Sequence, residues 1–444
     1  MKHYHVTRRP DGTWAVVGQS SKRASSLHHT QAEAVSAAQS LARRSGGELH
    51  IHDREGRIRS SPAIHQGVST WKAAAAPKPA VNTLAARIGP RLQRARHMRG
   101  FSLRSLAEAS DGLVSHTMIQ KFENSQATPN TQVLARLARV LELSPDYFLK
   151  TDRFKLEAVE YRKFTRLGKK AQQQLEECAF EFFERYLDIE AILQLKTSNF
   201  VRLDLRETPT DGLIEAIEKS AEQLREAQSL GLNPIPNVHA MLELSGVKVA
   251  LLPASDGFDG FSALARDDEG TEIPVVALSK ELLKDLPRFR FTAIHELAHL
   301  ILRLPESLET RDVERYCHRF AGAFLMPKSI FVKTFGHSRV RISLPELKAI
   351  KAEWGVSFAA IMKRAHDLGL ITDGRYKQYC MDASRRKWRQ LAGEPEAWKG
   401  SEESDRFKQL VFRALAEGLI TISKASGLLR VSHDELAEQF ELIG

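Results

Sequence analysis

Residues 287–302 read PRFRFTAIHELAHLIL, and inside that apolar run His295, Glu296 and His299 spell H-E-x-x-H. Phe289, Phe291, Ile294, Leu297, Ala298 and Ile301 dominate the stretch and Pro305 closes it, which predicts a largely buried helix. On such a helix the two histidines lie one turn apart, about 6 Å along the axis, so both imidazoles reach one cation. Glu296 stands beside them, placed to take a proton from water. A buried helix with this polar centre calls for a ligand, and the donor set suits zinc. Zinc lowers the pKa of its water to about 7, and a neighbouring carboxylate accepts the proton as the water attacks a polarised carbonyl.

A catalytic zinc takes three protein groups and keeps one position for water, so a third donor must come from another element. Glu314 is the candidate. It opens residues 313–327, VERYCHRFAGAFLMP, where Val313, Cys317, Phe320 and Phe324 form one helical stripe while Glu314, His318 and Ala321 share a neighbouring face. The block resembles the ImmA/IrrE family of metallopeptidases, in which an H-E-x-x-H helix is followed by E-x-x-A-N-x-F-A and an L-M-P. Here E-R-Y-C-H-R-F-A starts at Glu314, and Leu325, Met326 and Pro327 follow. The resemblance implies that His295, His299 and Glu314 hold Zn2+ and that Glu296 is the general base. Cys317 and His318 replace the family's Ala-Asn pair, which changes the hydrogen bonds that orient the ligands and makes His318 a competitor for the metal. The similarity runs from about residue 221 to residue 365. Strand signals between 247 and 278, among them GVKVALLP and GFSALA, predict a small sheet beside the helix. Residues 261–265 are the candidate edge for backbone pairing with an extended substrate, the alternative being a covered strand.

At 444 residues, 42% hydrophobic and 27% charged, the chain is long enough for several domains, each with its own core. It has no run of about 18 apolar residues, and its start lacks the apolar core of a signal peptide, so a cytoplasmic protein without a membrane partner is expected. Cys178, Cys317 and Cys380 are too few and scattered for a disulfide framework. The charge is uneven: residues 1–150 carry 22 Lys/Arg against 10 Asp/Glu, while 151–444 carry 43 against 45. A basic N-terminal part suits nucleic-acid binding, because cations gain affinity by displacing phosphate counterions; solubility is the plainer explanation.

Residues 88–148 read as about five short helices and resemble the XRE-type helix-turn-helix domain through Leu106-Ala107, Val114-Ser115, Ile119, Phe122-Glu123, Pro129-Asn130 and Leu143-Ser144-Pro145. The resemblance makes 115–124 the recognition helix. Val114, Ile119 and Phe122 would pack inward, leaving Ser115, His116, Thr117, Gln120 and Lys121 for the major groove of double-stranded DNA. Arg91, Arg94, Arg96 and Arg99 are candidate phosphate contacts. The turn AEASDGLVS is about two residues longer than usual, and Leu103 stands where the family has a phosphate-binding glutamine.

The predicted class is α+β multidomain. Residues 1–66 form a small ββαββ module that resembles a short bacterial domain of undefined function, with His3/His5 and His50/His52 alternating on strands. A linker spans 67–83, a five-helix helix-turn-helix domain 84–150, and connecting helices or a dimer stalk 151–230. A gluzincin-like peptidase domain spans 231–344, and a helical extension, read as a cap, spans 345–444. His337 and His366 are candidate oxyanion donors that sequence cannot place. Two expectations follow. One is a DNA-binding zinc metalloendopeptidase and transcriptional regulator, a homodimer that cleaves a repressor-like protein in a stress or mobile-element response. The other is a non-catalytic or antitoxin-like regulator whose zinc domain senses a signal or binds a partner.

Overall fold

The computed structural model describes residues 4–9, 11–18, 21, 23–30, 33–35, 37–38, 41, 49–52, 58–60, 83–150, 154–157, 167–195, 200, 202–255, 257–267 and 270–440. The chain divides into two compact units, residues 1–80 and 81–444, and the fold mixes helices with small sheets, in keeping with a multidomain α+β class.

In the first unit, β1 (Tyr4–Arg8) and β2 (Trp14–Gly18) form an antiparallel hairpin. Asp11 accepts from the Thr13 amide at 2.9 Å in the connecting turn, and Gly12 takes a φ of +85° that favours glycine. β3 (Ala24–His28) pairs with β2, β4 (Leu49–His52) lies parallel to β1, and β5 (Ile58–Ser60) returns antiparallel, giving the order β3-β2-β1-β4-β5. A parallel pair needs a crossover, and residues 33–35, 37–38 and 41 are helical within it. Thr30 Oγ1 accepts from the Glu33 amide at its start, at 3.3 Å. The ββαββ expectation lacks β3, whose ASSLH has no apolar alternation because it forms a largely exposed edge. His5 Nδ1 lies 3.1 Å from His52 Nε2 and the His5 ring stacks on His50. His3 and most of the expected linker lie outside the described residues.

The second unit begins with α1 (Thr83–Met98), α2 (Leu103–Ala109), α3 (His116–Glu123), α4 (Thr131–Val140) and a 3-10 turn at Pro145–Leu149. They enclose Leu92, Leu106, Ile119, Phe122, Leu137 and Phe148. At Gly89, α1 comes so close to the end of α3 that a Cβ would stand 2.5 Å from the Phe122 carbonyl oxygen. The long turn after α2 is taken up by two left-handed residues, Asp111 and Gly112, at φ 58° and 69°.

Beyond this bundle come β6 (Phe154–Glu157) and the 24-residue α5 (Lys169–Ile192). α5 is no exposed stalk: Leu175, Phe183, Tyr186 and Ile189 are buried. Its carboxylates tie three parts of the unit together, Glu184 to Arg91 of α1, Glu190 to Lys248 at 2.6 Å, and Glu181 to Arg430 at 2.8 Å. Then follow β7 (Leu203–Asp204), α6 (Leu213–Ala227), α7 (Val238–Leu244), β8 (Lys248–Leu252), β9 (Gly260–Asp267) and β10 (Glu272–Ser279). After these the chain forms α8 (Leu286–Ile301), β11 (Leu302–Arg303), α9 (Thr310–Leu325) and α10 (Lys328–Phe335). The main sheet has the order β6-β9-β10-β8, with β8 and β10 parallel and the other pairs antiparallel. α8 packs on β9 and β10 with one face and on α9 with another.

The C-terminal part is helical: α11 (Leu344–Trp354), α12 (Phe358–Asp367), α13 (Asp373–Arg385), α14 (Arg406–Ala416), α15 (Ile422–Leu429) and α16 (His433–Gln439). α14 to α16 share a core with Tyr186 and Ile189 of α5, and α16, HDELAEQ, is acidic. Among the described residues, no helix is long and apolar enough to cross a membrane.

Candidate metal centre and nucleic-acid interface

α8 starts at Asp285, whose side chain accepts from the Arg288 amide at 3.3 Å, with Pro287 in the first turn where its missing N–H costs nothing. Its apolar residues face both the sheet and α9, so the helix is buried nearly all round. Arg290, one turn before the motif, is itself buried. It pairs with Glu402 at 2.5 Å and donates to the Ile235 carbonyl at 2.7 Å. Glu402 also accepts from the Val238 and His239 amides at 2.8 and 2.9 Å. Burial raises its carboxyl above the usual range, opposed by Arg290 and those amides. A residue of the C-terminal extension thus pins the metal helix from behind.

Residues four apart on α8 bring His295 and His299 onto one side, and Glu314, in the second turn of α9, meets them. His299 Nε2 lies 3.2 Å from His295 Nε2, His295 Nε2 is 3.2 Å from Glu314 Oε2, and His299 Nε2 is 3.4 Å from Glu314 Oε1. Ligands about 2.0–2.2 Å from a tetrahedral zinc stand roughly 3.3–3.6 Å apart, so the triangle has the size that such an ion requires. Among the described residues, these form the one group of three or more His, Cys, Asp or Glu whose ligand atoms all lie within 4.8 Å of one another. His318 is not part of that group. Its Nδ1 bonds the Glu314 carbonyl at 2.8 Å and its ring stands edge-on to His295. The donors fit zinc.

Glu296 is buried and lies outside the triangle, where Ser262 Oγ of β9 donates to its Oε2 at 3.0 Å. A cleft of about 270 Å³ opens onto His295, Glu296, Glu314 and His318, walled by residues 257–260 and by Phe291 and Thr292. A larger cavity of about 870 Å³ lies between α5, the helix-turn-helix end and α15, lined by side chains already in ion pairs such as Lys424 with Asp188. Gly260 to Ala263 of β9 are buried, and among the described residues β6 runs alongside the end of the strand. β6 pairs with Leu264 to Asp267, so the expected substrate edge at 261–265 is covered at Leu264 and Ala265. His337 and His366 do not line the cleft; His366 Nε2 bonds Asp373 at 2.5 Å.

On α3, Val114, Ile119 and Phe122 are buried, and Ser115, His116, Thr117, Gln120 and Lys121 are exposed. Ser115 also caps the helix, accepting from the Met118 amide, and bonds Thr117 Oγ1 at 2.9 Å. Of the four arginines expected on phosphates, Arg91 and Arg96 are buried in ion pairs, and Arg94 and Arg99 are half-buried. Arg91 forms a buried fork on Glu184, Arg96 a buried fork on Glu123 at 2.6 and 2.8 Å, and Arg94 lies over the Phe180 ring beside Glu177. Arg99 donates to the Leu141 carbonyl at 2.8 Å. Arg87, Arg104, Lys121 and Arg139 are the exposed cations of this domain.

Residues 245–366 match the peptidase M78 family, described as the IrrE N-terminal-like domain. Residues 92–148 match the helix-turn-helix family, and residues 4–63 a family described as an uncharacterized protein conserved in bacteria. No curated protein matches the chain. The chain is thus a fusion of an N-terminal uncharacterized module, a helix-turn-helix and a peptidase-type domain.

Around the IrrE-like site, sequence reasoning missed Ser262, Glu402 of the C-terminal extension and β6. The period-2 pattern of GFSALA was the available signal for Ser262, since it sets Ser262 and Leu264 on one face of β9. Ser262→Ala removes a hydrogen bond to a charged group, worth about 1.5 kcal/mol. It is expected to lower kcat about tenfold with zinc content unchanged; an unaltered kcat in steady-state assays would leave Ser262 without a catalytic part.

Proposed function

We propose that this chain is a DNA-binding zinc metalloendopeptidase that regulates transcription by cleaving a repressor-like protein in a stress or mobile-element response. The observation that carries the reading is the triangle of His295, His299 and Glu314 at tetrahedral spacing, with Glu296 next to it but outside it. Bound zinc would supply a polarised carbonyl and an acidified water. The chain's residues divide the remaining work. His295, His299 and Glu314 hold the ion, Glu296 takes the proton and passes it to the leaving amine, and Ser262 keeps the carboxylate aimed. The cleft walled by residues 257–260 would admit an extended backbone.

DNA binding rests on the helix-turn-helix match and on the exposed row of α3. Ser115, His116, Thr117, Gln120 and Lys121 face the major groove in this reading, and a homodimer would set two such helices on two half-sites. Because Arg91 and Arg96 are buried in ion pairs and Arg94 and Arg99 are partly held within the protein, this domain has few freely exposed cations for phosphate. If each of the four exposed ones displaces one counterion, log K should fall with log salt at a slope of roughly −4 per copy. Lys121→Ala is expected to weaken operator binding and to reduce that slope by about 1; a slope that stays the same in titrations at several salt concentrations would remove Lys121 from the interface.

The function itself is tested in cells. Proteomes with the native chain and with Glu296→Gln should differ by a repressor-like protein that accumulates intact in the variant. Identical proteomes, together with unchanged transcription, would sink the peptidase reading. Purified native chain should carry about one zinc per copy.

A further inference from the structure

The zinc reading says which nitrogens face the ion but not what holds His299 in place. Nε2 of His299 points at His295 and Glu314. To bind a metal through Nε2 the ring must carry its proton on Nδ1, and that tautomer is set by whatever Nδ1 meets. It meets the sulfur of Cys317, 3.6 Å away across the α8/α9 contact. Cys317 is fully buried, and it lies three residues after Glu314 on the same helix. Its sulfur is not among the atoms that converge with the three ligands.

Resting on the zinc assignment above, we propose that Cys317 is a positioning residue: its Sγ accepts the Nδ1–H of His299, fixing the tautomer and ring angle that present Nε2 to the metal. Sulfur is a weak acceptor, yet it is enough to choose between two tautomers of nearly equal energy. Hydrogen bonds of this kind behind a ligand alter metal affinity by about 10–100-fold. The thiol replaces the alanine of the ImmA/IrrE pattern, and alanine offers no acceptor, so this contact belongs to this chain's own version of the site. Glu314 and Cys317 also share one helix, so α9 supplies a ligand and the support of a second ligand in a single turn.

Three full-length proteins test the role: the native chain, Cys317→Ser and Cys317→Val. Serine keeps an acceptor, whereas valine keeps apolar bulk and offers none. Zinc affinity is measured by competition with a chromophoric chelator, and each protein is also loaded with cobalt(II) to read its absorption spectrum. The expected result is a zinc dissociation constant at least about tenfold weaker for Cys317→Val and within about threefold of native for Cys317→Ser, with the cobalt d–d bands altered only in the valine variant. Equal affinities in all three proteins would overturn the proposal. So would equal losses in both variants, which mark a packing role, or a thiolate-to-cobalt charge-transfer band in the native chain, which marks a direct ligand. If the native chain takes up no zinc or cobalt at all, it is the zinc assignment that fails, a result separate from these.

Discussion

Glu296→Gln is expected to reduce peptide hydrolysis by about 10²–10⁴-fold while the chain keeps its zinc. The two effects separate because Glu296 is not one of the three converging donors. The donor triangle consists of His295, His299 and Glu314, and Glu296 projects from the same helix toward Ser262. Glutamine has the same shape and still offers Ser262 an acceptor oxygen, so neither α8 nor its packing against β9 should change. What it lacks is basicity: an amide cannot take a proton from the attacking water or hand it to the leaving amine. The assay is single-turnover cleavage of the protein substrate found by the proteome comparison, with zinc measured by elemental analysis on the same samples. A residual rate within tenfold of native would deny Glu296 the role of base. Zinc lost together with activity would make it a ligand, and the division of labour proposed here would be wrong.

The centre was legible because its information is local. H-E-x-x-H puts two imidazoles on one turn, and the apolar run around it demands burial, so a polar pair inside a buried helix can be read without coordinates. The same holds for α3, where the inward Val114, Ile119 and Phe122 leave the others outside by helical period alone. Glu314 needed the second helix, yet its face could be inferred from the stripe of Cys317, Phe320 and Phe324, all buried as that period requires. What could not be read is the matching of distant charges. Arg91 and Arg94 look like solvent-facing cations in a basic segment, and nothing nearby in the chain reveals that Glu184 and Glu177, more than 80 residues later, receive them. Glu402 is a similar case: a carboxylate in a polar stretch that is wholly buried on Arg290. Short strands are equally silent. The four residues of β6 and the ASSLH of β3 carry too few alternations to stand out from loops, and both are defined by the strand they join.

The buried Arg91–Glu184 pair leads to a large expected stability effect. Glu184→Ala should cost about 3–5 kcal/mol, because Arg91 would then keep its charge in a buried position without the carboxylate that compensates it. Both side chains are almost fully buried, at 2% and 6% exposure, so solvent screens the pair very little. The reverse holds for a double replacement. Arg91→Met with Glu184→Leu removes both charges and keeps the volume, and should be neutral or stabilising by up to about 4 kcal/mol. Urea denaturation followed by far-ultraviolet circular dichroism distinguishes the three proteins. A single variant within about 1 kcal/mol of native would mean that water or a rearranged side chain compensates Arg91, as at an exposed pair. The position of the pair adds a second expectation. Glu184 lies on α5, the helix that also holds Lys248 of the IrrE-like sheet and Arg430 of the C-terminal helices, so the pair is a buried link between the helix-turn-helix and the rest of the second unit, beside the Arg94–Glu177 contact. Loss of Glu184 should therefore separate the melting of α1 to α4 from that of the remainder, giving two transitions where one is expected for the native chain. If Glu184→Ala unfolds in one transition shifted as a whole, the coupling between the DNA-reading and peptidase-type domains must be carried by the other contacts of α5, such as Arg94 with Glu177, and not by this pair.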